Sequence, residues 1–298
     1  MPEKRPYTKK HTPFSDQVKL LQSRGIHIHD PAEVESIFHH VNYYRLSGYW
    51  LPFETNHDTH QFHIGTSFDD IYNLYLFDQN LRLLLLEGIS TIEISLRCQW
   101  SYILSRDYGP HAHVNPELAN NRFHLAKNLE TLYKELERSN ELFIKHFSYT
   151  YQEKFPPIWA SSEIMSFGLL SRFYDNLKPM PLRKAIASVY AINDELLESW
   201  IRHLTSIRNY AAHQARIWNR DFTIIPAIPK SDSVPNRHLF NPETRRLYNG
   251  LLIISHLLQV IAPENNWRKR IAYLIKQHSI DPSAMGFPAN WQTGTFWT

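Results

Sequence analysis

Apolar residues recur along this chain at three- and four-residue intervals, in blocks separated by prolines and polar runs. That spacing puts them on one side of an α-helix. It predicts a short helix opening at Ser15, carrying Val18, Leu20 and Leu21 and stopping at Gly25. Asp30-Pro31 opens a second helix with Val34, Ile37, Phe38 and Val41 on one side. A dense aromatic block follows, Tyr43-Tyr44-Arg45-Leu46-Ser47-Gly48-Tyr49-Trp50, whose rings Tyr43, Tyr44, Tyr49 and Trp50 have faces that can stack on planar groups but, beside apolar neighbours, read as core. The polar, histidine-bearing stretch from Thr55 to Phe68 reads as a loop or short hairpin.

A long helix is expected from Asp69 or Asp70 to about Ile103, with Leu81, Leu85, Ile89, Ile92 and Leu96 as its buried stripe. Asp78, Arg82, Glu93 and Arg97 lie along one flank of that stripe. Such charges pair within the helix, or else build a polar pocket wall. Tyr108-Gly109-Pro110 breaks the pattern, and residues 115–150 read as one or two exposed helices packed through Leu125, Leu129, Leu132 and Leu136. Beyond Pro156-Pro157 the spacing predicts helices over Ser161–Leu177, Leu182–Val189, Asp194 to about Arg220, and Glu243–Ile261. No βαβ alternation occurs, so the expected fold is all-α. One domain is expected over 14–298, behind a basic tail at 1–13.

Composition narrows this picture. Nine glycines against 18 prolines disfavour a turn-rich β architecture, and 43% hydrophobic residues supply a core. The single cysteine, Cys98, excludes an intramolecular disulfide and a cysteine-based zinc site. No apolar run is long enough to span a bilayer, and the N-terminus lacks the apolar segment of a signal peptide, so a cytoplasmic protein without a membrane partner is expected.

The net charge of +3 is unremarkable, but its distribution is not. Between Ser199 and Arg220 there is no acidic residue, while Arg202, Arg208, Arg216 and Arg220 are joined by His203 and His213. On one helix at about 100° per residue, Leu197, Trp200, Leu204, Ile207, Ala211, Ala215 and Trp218 form the buried side. Arg202, Asn209, His213, Arg216 and Arg220 fall nearly opposite. Arg208 stands about 140° from His213 on that helix. Either local distortion and its long side chain bring the two together, or a second copy completes the site across a two-fold axis. A charge run is most often a solvated face, and an isolated histidine needs no task. Here the residue types are also those that grip phosphate and move protons near neutral pH. His57, Asp58, His60 and His63 lack the fixed ligand spacing of zinc sites and read as a solvated loop, so no metal or cofactor is expected. His111 and His113 read as loop polarity or as groove lining.

Arg208-Asn209-Tyr210-Ala211-Ala212-His213 resembles the R-x4-6-H motif of the HEPN superfamily. Asn42 to Tyr49, Phe77-Asp78 to Arg97, Pro157-Ile158-Trp159 to Ser171, Arg208 to Arg220 and Gly286-Phe287-Pro288-x-x-Trp291 extend the likeness in order along nearly the whole chain. Together they resemble the Abi-like proteins, of the AbiD/AbiF type, of bacterial abortive-infection defence. The resemblance implies a HEPN-like helical bundle, with its core at about 69–220 and added N- and C-terminal helices. It also implies a homodimer that acts on or holds RNA: a tRNA, an mRNA or a cognate small RNA. Arg208, Asn209 and His213 take the family's active-site positions, with Arg202, Arg216 and Arg220 as backbone contacts. The expected activity is a metal-independent endoribonuclease toxin leaving 2′,3′-cyclic phosphate ends, held in check by an antitoxin or RNA. The alternative is a non-catalytic module that binds a small structured RNA. Ala215 stands where some HEPN toxins carry a modified tyrosine, so that form of control is not expected.

Overall fold

The computed structural model describes Pro6, Thr8 and residues 10–230, 234–293 and 295–297. Residues 1–5, 7 and 9 of the expected basic tail therefore lie outside the described residues. Helix accounts for 63% of the chain, and the described sheet is one two-stranded hairpin, so the fold is all-α. The chain divides into two compact units, 1–80 with 277–280, and 81–276 with 281–298.

The first unit opens with α1 (Phe14–Ser23) and α2 (Pro31–His40). The entry to α1 is Pro13 rather than Ser15, and Gly25 at φ 96° turns the chain after it. Asp30 caps α2 by accepting from the Ala32 and Glu33 amides, as its position before a proline leads one to expect. The aromatic block forms α3 (Tyr43–Trp50). Leu46, Tyr49 and Trp50 are buried, and Tyr49 donates to the buried Asp78 carboxylate at 2.7 Å. Tyr44 departs from the core expectation, with 85% of its surface exposed. The predicted hairpin is β1 (Glu54–Asn56) against β2 (Gln61–Phe62). Its histidines do not stand free: the Nδ1 atoms of His57 and His60 lie 2.7 and 3.0 Å from the buried Glu54 carboxylate.

Helix α4 (Phe68–Tyr108) carries the predicted stripe, with Leu81, Leu85, Ile89, Ile92 and Leu96 all buried. Its residues from Leu81 onward belong to the second unit. There follow α5 (Arg122–Arg138), α6 (Leu142–Thr150), α7 (Ile158–Ile164), α8 (Phe167–Asp175), α9 (Met180–Ser188), α10 (Asp194–Ala212), α11 (Tyr248–Ile261) and α12 (Trp267–Gln277).

Two departures from the sequence expectation have clear causes. The single helix expected over Ser161–Leu177 is broken because Met165 is extended and Ser166 caps α8. The Glu135 carboxylate of α5 accepts from both the Ser166 amide and hydroxyl, at 3.1 and 2.8 Å, and holds that break. α12 was not foreseen. Trp267 anchors it by donating from Nε1 to the Leu84 carbonyl at 2.7 Å, a long-range bond with no local signature. α10 is the centre of the second unit, with Leu197, Trp200, Leu204, Ile207 and Ala211 buried as the periodicity required.

Candidate functional site at the end of the central helix

Asn193 caps α10 by accepting from the Leu196 amide, and Asp194 and Glu195 complement the positive end of the helix dipole. The other end carries the candidate site, and it lies eight residues earlier than the periodicity suggested. α10 stops at Ala212, and His213 is its C-cap. The Gln214 amide donates to the Ala211 carbonyl at 3.1 Å and the Ala215 amide to the Tyr210 carbonyl at 2.9 Å. With Gln214 at φ 55°, this is a Schellman turn in which a glutamine takes the left-handed position usually filled by glycine. The absence of glycine concealed the helix end in the sequence.

Packing explains the turn. On a straight continuation Ile217 would point about 120° away from the centre of the buried stripe. Leaving the helix buries it fully, together with Trp218 and Phe222. The chain then runs back along α10: the Trp200 indole donates to the Ala227 carbonyl at 3.0 Å, and His203 Nδ1 lies 2.6 Å from the Ile224 carbonyl oxygen.

The expected polar face is therefore divided. Asn209 remains on α10 and His213 caps its end, and both are exposed. Arg216 and Arg220 lie beyond it and are held by the turn. Arg220 donates from Nε to the Arg216 carbonyl at 2.5 Å, and its guanidinium carbon stands 4.2 Å over the Tyr210 ring. This cation–π seat fixes Arg220 beside the last turn of α10.

Nor is the run free of acids once folded. Arg202 pairs with Glu198 at 3.1 Å and with Asp175 of α8 at 3.4 Å. His203 adds no positive charge, because it is buried and burial pushes its imidazole down to about 4. Elsewhere Arg246 pairs with Asp221 at 2.7 Å, and Arg270 with Glu87. His113 faces only a small internal cavity of about 20 Å³. It lies in the core beside Trp100 and Phe155, neither ring nitrogen has a hydrogen-bond partner, and burial lowers its pKa to about 3.

Arg208 turns toward α4. Its Nε lies 4.0 Å from Glu93, whose other carboxylate oxygen accepts from Arg97 at 2.5 Å. Arg97 in turn donates to the carbonyls of Glu163 and Met165, at 2.9 and 2.6 Å. Arg208 also makes a long 3.4 Å contact to the Asn209 side-chain oxygen. Arg97 and Arg208 edge an open cleft of about 740 Å³, lined also by Arg138 and by Glu135, Glu141 and Glu163. Neither Asn209 nor His213 lines that cleft.

The structure thus brings Arg208 and Asn209 together and leaves His213 at the exposed helix end. Glu93 and Arg97 are the partners that the linear motif does not contain. Their signal was the charged flank of α4, where both expectations are met: they pair along the helix, and Arg97 lines a pocket wall.

Among the described residues no group of side chains could hold a metal ion, and no helix is long and apolar enough to cross a membrane. No curated protein and no solved structure matches the chain. The model of the Abi-like protein family matches residues 36–219. The match runs from the end of α2 through the aromatic α3, all of α4 and the whole candidate motif. The chain belongs to the Abi-like protein family.

Proposed function

We propose that this protein acts on RNA in abortive-infection phage defence, as a metal-independent endoribonuclease of the HEPN type. One observation carries the reading: an Abi-like chain presents an exposed His213 at the end of its central helix, just after a paired Arg208 and Asn209. In this reading His213 acts as general acid or base while a ribose 2′-OH attacks the adjacent phosphorus. The new O2′–P bond closes a 2′,3′-cyclic phosphate. The P–O5′ bond breaks, and the departing oxygen takes a proton to leave a 5′-hydroxyl. Arg208 stabilises charge developing on the phosphoryl oxygens. Asn209, through its contact with Arg208, orients the guanidinium more directly than it orients the histidine.

Arg208 and His213 are five positions apart on α10, about 7.5 Å along its axis, so one helix offers them poorly to one phosphate. A homodimer that pairs Arg208 of one copy with His213 of the other solves this. Arg216 and Arg220 contact the RNA backbone, and their loss should weaken binding and flatten its salt dependence. A small RNA or antitoxin would hold the protein in check.

The test is cleavage of RNA in EDTA with the product ends mapped. Cyclic phosphate ends that vanish in His213→Ala are expected, and a requirement for a divalent ion would sink the reading. A second reading, a module that holds RNA without cutting it, is favoured by the engagement of the candidate catalytic cation Arg208 with Glu93. In that case wild type yields no new ends and His213→Ala keeps its affinity.

A further inference from the structure

The first unit carries a groove of about 1010 Å³ with no place in the mechanism above. Its floor is one face of α3. Tyr44, Ser47, Gly48 and Leu51 follow at i, i+3, i+4 and i+7, so they stand in a row along it. Tyr44 heads the row with 85% of its surface exposed, and the two small residues beyond it leave its ring standing above a shallow bed. Leu51, 41% exposed, closes the far end.

The walls are basic and amide-bearing: Arg24, Lys10, His11, His60, Gln17 and Asn42. Among the described residues no lining residue is acidic. The nearby Glu54 carboxylate is buried against His57 and His60. Arg24 donates to the Tyr43 hydroxyl at 2.9 Å, and Tyr43 packs edge-on against Trp50 at 4.9 Å, so the cation is fixed at the wall by a rigid aromatic pair.

We infer that this groove is a seat for single-stranded RNA, in which a base stacks on Tyr44 over Ser47 and Gly48 and the flanking phosphates meet Arg24 and Lys10. An exposed aromatic face beside cations, in a groove without carboxylates, is the arrangement that holds single strands without reading their sequence. An acidic peptide would satisfy the cations but leave the Tyr44 face uncovered. The seat rests on the proposed RNA function but not on cleavage. It gives the chain a hold on RNA in a unit separate from the one that carries His213.

The experiment measures binding of a fluorescent 2′-O-methyl oligouridylate to the full chain by anisotropy. That probe lacks the attacking hydroxyl and cannot be cut by the proposed route. Tyr44→Ala should weaken binding about 5- to 150-fold, the loss of one stacked base. Tyr44→Phe should restore it, and Arg24→Gln should flatten the salt dependence by about one phosphate contact. Wild-type affinity in both Tyr44→Ala and Arg24→Gln would overturn the inference, as would poly-glutamate binding where the oligonucleotide does not. The two proposals fail separately. A Tyr44 effect in a chain that makes no cyclic phosphate ends supports the seat and removes only the nuclease. His213-dependent cleavage with no Tyr44 effect does the reverse.

Discussion

Glu93 stands between two arginines of different helices: one carboxylate oxygen takes Arg97 of α4 at 2.5 Å and the other lies 4.0 Å from Arg208 of α10. The Glu93 side chain is only 9% exposed, against 37% for Arg208, so the acid is the buried member of the pair and the candidate catalytic cation the one open to solvent. The relationship ties the motif on α10 to a charged flank more than a hundred residues earlier in the chain.

Glu93→Gln should therefore cost about 2–3 kcal/mol, because Arg97 keeps its carbonyl partners but loses its counter-charge. Urea denaturation measures this. The same change relieves Arg208 of its acidic neighbour, so RNA affinity at low salt should rise. A fall in affinity would mean that Glu93 positions Arg208 rather than competing for it.

The Schellman turn at Gln214 places His213. Gln214→Gly keeps the left-handed conformation and should leave stability within about 1 kcal/mol, with cleavage retained. Gln214→Pro imposes φ near −65° where the chain needs 55°, and removes the amide bonded to Ala211. It should cost about 3 kcal/mol or more and abolish the His213-dependent ends. Thermal melts beside end mapping separate a folded, inactive protein from an unfolded one.

Gly250 is where α11 meets α10. A methyl group there would stand 2.6 Å from Ile207 Cδ1 and 3.1 Å from His203 Nε2. Both neighbours are fully packed, so Gly250→Ala should destabilise by about 1–3 kcal/mol. Ile207→Val, which shortens the opposing side chain, should recover part of that loss in the double variant.

Acid should destabilise the protein through two buried imidazoles. Burial holds His203 near 4 and His113 near 3, below the ordinary 6.5, so the unfolded chain binds more protons between those values. Their contribution is fully present above about pH 6.5. It is lost progressively as the pH falls toward 4 and then 3. Urea midpoints measured across that window should fall with pH. His113→Phe should flatten the slope and raise stability at pH 7 by about 1 kcal/mol, since it replaces a ring whose nitrogens have no partner.

Much of this molecule follows from periodicity. The stripe from Leu81 to Leu96, the buried side of α10 and the capping Asp30 all sit where local spacing and cap chemistry put them. Those signals are local and repeat every turn, so a single chain carries them in full. The motif from Arg208 to His213 was equally legible, because it lies within six consecutive positions. What the order of residues could not convey is where the helix ends and which charges are answered. A non-glycine left-handed residue carries no composition signal, so periodicity alone carries α10 past Ala212 and puts Arg216 and Arg220 on a face that they leave. In the acid-free run from Ser199 to Arg220, Arg202 finds Glu198 on its own helix, but its second acid, Asp175, and the acid beside Arg208, Glu93, are brought there by α8 and α4. Linear spacing reports the faces of one helix; ion pairing between helices depends on which faces meet, and that is settled only when the core packs.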